Sequence, residues 1–192
     1  AAEIYDVVFV DLPKGCNEQY IKDTLADAEV VVCITNQDEV KFEEFFDKVN
    51  NMEELKDKNK IFANNAEYFY YIEDEYNING LFVASIAIHE SAWGTSQIAN
   101  DKHNLFGYGS YDNTPYESSF EFADYSEGIE TVAKSLVKYY LNPSGTKIYD
   151  GETAAAWYYN GPTLSGINTR YASDSEWHNK VFKYMELLYN RL

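Results

Sequence analysis

One carboxylate stands out by its setting. Glu90 follows the run Leu81 to Ile88 (LFVASIAI), which is apolar on all sides apart from Ser85, and lies just ahead of Gly94. A run of that kind forms a helix enclosed by other elements. A glutamate at its C-terminal end is desolvated by apolar neighbours and faces the negative end of the helix dipole, and both effects raise its pKa. A carboxyl that stays protonated near neutral pH is the general acid that glycoside cleavage needs. The competing reading is a solvated glutamate at a helix end, and position alone does not pick Glu90 from 32 acidic residues. Other chemistries find little support. His89-Glu90 opens like an H-E-x-x-H zinc helix, but the second histidine's place holds Trp93, and His89, His103 and His178 share no metal-ligand spacing. No metal or other cofactor is expected. Cys16 and Cys33 read as two buried thiols in preference to one disulfide, and neither sits in a nucleophile setting that would pair with His89.

The neighbours of Glu90 carry more information. The stretch Ile86 to Asn104 reads IAIHESAWGTSQIANDKHN. Its Glu90-Ser91-x-Trp93-Gly94-Thr95-Ser96-x-x-Ala99, followed by Asn104-Leu105-Phe106-Gly107, resembles the signature of the glucosaminidase family of bacterial autolysins and phage lysins, glycoside hydrolase family 73. Further pieces of that pattern follow in order: residues 107–116 (GYGSYDNTPY), residues 122–129 ending in Ser126-Glu127-Gly128-Ile129, Tyr159-Asn160-Gly161, and Tyr171-Ala172-Ser173-Asp174. The resemblance covers roughly residues 60–192, and the first 40 or so match no known pattern.

The resemblance implies a lysozyme-like helical fold with two lobes and a small β-hairpin lobe. It implies an endo-β-N-acetylglucosaminidase that cleaves the GlcNAc-β-1,4-MurNAc bond of the peptidoglycan glycan strand, outside the cell or at the wall, in an autolysin or a phage lysin. It leaves room for attached wall-binding or phage modules. Glu90 takes the place of the family's catalytic acid and Tyr171 that of a tyrosine facing the catalytic centre. Ser96 belongs to the turn that presents the acid, and Asn104 and Phe106 match cleft-floor positions, where a turn residue and a core residue are equally good readings. Tyr111, Asp112, Tyr159 and Asn160 fall in motifs expected to touch substrate.

The acid's partner is open. An inverting mechanism needs a base ~6.5–9.5 Å from the acid and a retaining one a nucleophile at ~5–5.5 Å. Glu121, alternating with Phe120 and Phe122, is the first candidate and Asp112 its rival. The substrate's own N-acetyl group is the third possibility. Two further readings of the same scaffold are a lytic transglycosylase, against which stands Asn104-Leu105-Phe106-Gly107 where those enzymes carry Gly-Leu-Met-Gln, and a non-catalytic wall-binding module.

The elements that must position these residues are mostly helical. Phe62, Ala66, Phe69 and Tyr76 recur near helical spacing, and Asn77 to Gly80 breaks that helix. Residues 107–122 predict a β-hairpin turning at Asp112-Asn113-Thr114-Pro115. Asp124 and Glu127 form a capping-box start for a helix with Ile129, Val132, Leu136 and Tyr140 on one face. Ala154 to Tyr159 predicts a short helix. Ser173 and Glu176 cap a last helix whose face is Trp177, Val181, Tyr184 and Leu188. Ahead of these, Ile4 to Val10 and Glu29 to Thr35 read as strands around a helix over Asn17 to Ala28. Residues 1–39 thus form a short α/β segment and 40–192 the catalytic domain.

Composition narrows the partners. A formal charge of −17 argues against nucleic acid, whose phosphates need clustered Lys and Arg. No apolar run reaches the ~18–20 residues of a membrane span, so no membrane insertion is expected. Ala1-Ala2 in place of a Met suggests a mature form or an excised piece, and secretion rests on function instead of a leader. The 18 Tyr, 11 Phe and 3 Trp suit a sugar-binding groove, although a Tyr-rich core would hold as many.

Overall fold

The computed structural model describes residues 57–110 and 113–189. They fold into a mainly helical unit: α1 (Ile61–Asn64), α2 (Ala66–Tyr76), α3 (Gly80–Ser91), α4 (Gln97–Lys102), α5 (Pro115–Ser118), α6 (Tyr125–Leu136), α7 (Leu164–Tyr171) and α8 (Trp177–Tyr189). α6 runs on into one π-helical turn, Val137–Leu141. The expected α/β segment over 1–39, the boundary at 39–40 and both cysteines lie outside the described residues.

α3 is the centre because its sequence leaves no other place for it. From Gly80 to Ile88 every residue is buried, and the helix packs against α8 on one side and α2 on another. Enclosing each Leu, Ile or Phe of this helix is worth about 1.5–3 kcal/mol. Gly80 lets α2 come close: a Cβ there would lie 2.1 Å from the Phe69 carbonyl oxygen. Asn79 caps α3 by accepting the Phe82 amide at 2.7 Å, and left-handed Asn77 ends α2. α2 also packs on α6, and α8 on α7.

Several local expectations change. Among the described residues of 107–122 there is no strand; the segment holds α5 instead. Pro115 sits at the first turn of that helix, where its missing N–H costs nothing, and the Ser118 hydroxyl and amide both donate to the Thr114 carbonyl. The two flanks meet through one backbone bond, Phe120 N to Tyr108 O at 2.9 Å, and through the Asn104 side chain. The helix expected over Ala154 to Tyr159 is an irregular turn, since Ala156 is left-handed (φ 56) and the Ala155 and Ala156 amides both donate to Lys138 O. The amide bond that starts α8 goes to Asp174, whose Oδ1 accepts Glu176 N at 2.9 Å, in place of Ser173. Met185 joins Trp177, Val181 and Leu188 in the buried face, with Tyr184 half-buried. The Asp124 cap forms as expected, with Glu127 N donating to Asp124 Oδ1, while the returning Glu127 carboxylate takes the Ala123 amide.

Candidate active site

Glu90 lies in the last turn of α3, and the chain reverses immediately after it. Ala92, Trp93 and Gly94 are all left-handed, with φ of 49, 61 and 69. A non-glycine residue in that region costs roughly 1–2 kcal/mol, so two in a row need firm support. The support is local. Ser91 Oγ donates to Ala87 O at 2.6 Å and accepts Gly94 N at 2.7 Å, and Ser96 N returns to Ser91 O at 3.0 Å. Trp93 is buried edge-on against Phe62, with ring centroids 5.8 Å apart. Gly94 is held close to Ile61, whose Cδ1 would stand 2.9 Å from an added Cβ. Ser96 then caps α4 by accepting Ala99 N. The end of α3 is therefore a rigid elbow that projects Glu90 outward.

The Glu90 carboxyl has one partner among the described residues. The indole of Trp177, at the start of α8, donates its Nε1–H to Glu90 Oε1 at 2.7 Å. Glu90 is exposed at its helix end, yet protein crowds its carboxyl enough to desolvate it in part. Desolvation is the larger influence and pushes the pKa above the ordinary glutamate value, while the Trp177 hydrogen bond pulls it part of the way back. No second carboxylate contributes to the shift among the described residues.

Tyr171 closes one side. It ends α7, and its ring tilts against Trp177 at 4.8 Å. Its pKa is raised far above the ordinary tyrosine value, first by burial and then by the negative charge of Glu90, so it remains a neutral hydroxyl. His89, the neighbour of the acid, points elsewhere, packing on Tyr184; burial and then Lys180 lower its pKa.

The other expected residues divide by position. Asn104 is 1% exposed and its amide is used within the chain. Its Nδ2 donates to Tyr108 O and Phe120 O, and its Oδ1 accepts Phe106 N and Tyr108 N. Phe106 is buried in the core. Glu121 is exposed, and its charge is felt by Tyr116, which donates to Asp101. Tyr159 is half-buried and Asn160 exposed in the turn before α7, where Gly166 lets the helix approach: an added Cβ would lie 2.4 Å from Asn160 O. Tyr111 and Asp112 lie outside the described residues. In the sequence Trp177 reads only as a core residue of α8, and no spacing ties it to an acid 87 positions earlier.

The sequence profile of the glucosaminidase family, described as mannosyl-glycoprotein endo-beta-N-acetylglucosaminidase, matches residues 66–190. The chain belongs to the glucosaminidase family. The match takes in Glu90, Tyr171 and Trp177 alike. A putative endo-beta-N-acetylglucosaminidase of Streptococcus pneumoniae serotype 4 is 34% identical over 149 residues, which are 78% of this chain and 20% of that relative. A bifunctional autolysin of Staphylococcus aureus is 28% identical over 161 residues, 76% of this chain and 12% of that one. The chain thus spans a fifth or less of the length of these two curated relatives. Among solved structures, S. aureus autolysin E in complex with the muropeptide NAM-L-Ala-D-iGlu superposes with a TM-score of 0.50 at 19% identity, covering 88% of this chain and 77% of that one. At that identity the likeness speaks for the fold.

Proposed function

We propose that the chain is a peptidoglycan hydrolase, an endo-β-N-acetylglucosaminidase that cuts the GlcNAc-β-1,4-MurNAc bond with Glu90 as general acid. The observation that carries the reading is the Glu90 carboxyl, lifted in pKa by desolvation and held by the Trp177 indole at 2.7 Å. Held protonated, it delivers its proton to the glycosidic oxygen as the bond breaks, and the indole N–H then stabilises the carboxylate left behind. The neutral Tyr171 hydroxyl beside it is a hydrogen-bond donor for the reacting sugar. The relatives' names, glucosaminidase and autolysin, support the same substrate and place of action, at the bacterial wall and outside the cell. Their greater length supports attachment to further modules.

An exposed acid at the elbow that ends α3 fits the cleft of a two-lobed lysozyme-like domain. Ser96 serves through the elbow it caps and Asn104 through the loop it ties, while Phe106 packs beneath. Tyr159 and Asn160 are offered to the glycan, and the motif that holds Tyr111 and Asp112 is assigned to substrate by the family resemblance alone. For the group opposite the acid the candidates are Glu121, Asp112 and the substrate's own N-acetyl oxygen. Glu90→Gln is expected to abolish release of reducing ends from purified cell walls while the fold is retained. Full activity in that variant refutes the reading. Fragments ending in anhydro sugars would assign the chemistry to a transglycosylase.

A further inference from the structure

Among the described residues four large apolar side chains are exposed, and two of them, Trp157 and Tyr158, are adjacent. Trp157 is 71% exposed, and its indole is stacked on Tyr139 with centroids 4.7 Å apart and planes 24° from parallel. One face is therefore backed by protein and the other is open to solvent. Tyr158 stands beside it, 6.4 Å from Tyr139 and 5.0 Å from Tyr140. Tyr140 lies edge-on to Tyr171 at 5.6 Å, and Tyr171 packs on Trp177, which holds Glu90. Ring contacts thus run without a gap from the candidate acid to the exposed indole.

The backbone under this patch is built to fix it. Tyr139 and Tyr140 sit in the π-helical turn Val137–Leu141, a distortion concentrated at functional positions in helices. The loop that bears Trp157 is clamped to that turn, with Ala155 N and Ala156 N on Lys138 O and Tyr158 N on Tyr139 O at 3.0 Å. Ala156 is left-handed, and residual strain of this kind next to an exposed tryptophan marks a place where function constrains the chain. A free indole face costs solvation and contributes nothing to the core.

We propose that Trp157, backed by Tyr139 and flanked by Tyr158, is a stacking platform for a pyranose ring of the glycan strand, at a subsite away from the scissile bond. The proposal rests on the glycan-cleaving reading of Glu90. A pyranose offers a flat C–H face rimmed by hydroxyls, which matches an apolar indole face edged by tyrosine hydroxyls. A protein partner is a poorer occupant, because a specific interface needs ~800 Å² on each side and this patch is two side chains wide. A second copy of this chain is opposed by its −17 charge.

The test compares Trp157→Ala with the parent on solubilised glycan strands freed of stem peptides and on the short tetrasaccharide. Loss of the platform is expected to raise KM for the long strands about tenfold, the low end of the range known for flat rings of nucleic-acid bases stacked on aromatic side chains. It leaves kcat on the tetrasaccharide unchanged, and Trp157→Phe restores most of the loss. Equal KM values on long strands overturn the proposal, as does an equal loss on long and short substrates. Binding of the same strands to Glu90→Gln, with and without Trp157→Ala, is read by calorimetry in parallel. Strand binding that depends on Trp157, where the unmodified protein itself releases no reducing ends from walls, upholds the platform and refutes the glycosidase reading. Binding indifferent to Trp157 refutes the platform alone. A dimer that Trp157→Ala dissociates in sedimentation assigns the patch to self-association and overturns the proposal.

Discussion

Replacing Trp177 by Phe isolates the contact on which the site depends. The substitution keeps an aromatic ring against Tyr171 and removes the single N–H that reaches Glu90 Oε1 at 2.7 Å. Hydrogen bonds to charged groups are worth about 1.5–3 kcal/mol net, and solvent access to Glu90 puts this one at the lower end. The charge on Glu90 develops as it gives up its proton, so the loss falls on the transition state. At about 1.4 kcal/mol per tenfold, kcat should drop about tenfold. KM should hardly move, because Trp177 is 1% exposed and out of the substrate's reach. The pH dependence has a definite sign. The indole N–H favours the ionised carboxylate, so without it the Glu90 pKa rises further and the protonated form persists to higher pH. The alkaline limb of the kcat/KM profile on purified walls therefore moves upward. Core shrinkage also costs stability, about 1–3 kcal/mol. Val181→Ala, a buried change on the same helix that leaves the hydrogen bond intact, controls for this and should leave the limb in place. A limb that stays still or moves down in Trp177→Phe, or a defect confined to KM, refutes the role given to the indole.

Two further outcomes concern stability. Glu90→Gln should be more stable than the parent at neutral pH, because the raised folded-state pKa means that ionised Glu90 costs the folded protein. Below the ordinary value of 4.5 both states hold the proton and the two proteins should match, whereas the parent loses ground as pH rises through the raised value. Urea midpoints measured from about pH 3.5 to 7 test this, and a gap that narrows with rising pH refutes it. Asn104→Ala should lower unfolding free energy by about 3 kcal/mol, since four hydrogen bonds, one buried and three part-buried, lose their shared partner. Denaturant unfolding measures it, and a loss below about 1 kcal/mol would mean that the loop repairs itself.

What the sequence made legible follows from range. The all-round apolar run of α3 demanded burial, and short-range signals such as the break at Asn77 to Gly80 and the Asp124 cap fell where expected. The ordered motifs singled out Glu90. The alternation Phe120-Glu121-Phe122 read as a strand, but no partner strand lies beside it among the described residues; isolated backbone bonds to Tyr108 and Lys102 and the Asn104 side chain make the cross-links, and a side chain sharing a ladder's work leaves no period in the sequence. Apolar spacing over Ala154 to Tyr159 also gave no hint of a left-handed Ala156, since alanine is the best helix former. Trp177 escaped notice as a partner of the acid because its apolar bulk places it in the core regardless of what its N–H touches.

The 87-residue separation between Glu90 and Trp177 has a consequence in time. On a chain made from its N-terminus, the acid emerges long before the helix that holds it. Until α8 docks on α3, the Glu90 carboxyl lacks its indole donor and much of its apolar surroundings, and behaves as an ordinary solvated glutamate. The docking of α8 thus completes the surroundings of the candidate acid, and a chain stopped short of Trp177 holds Glu90 without its donor.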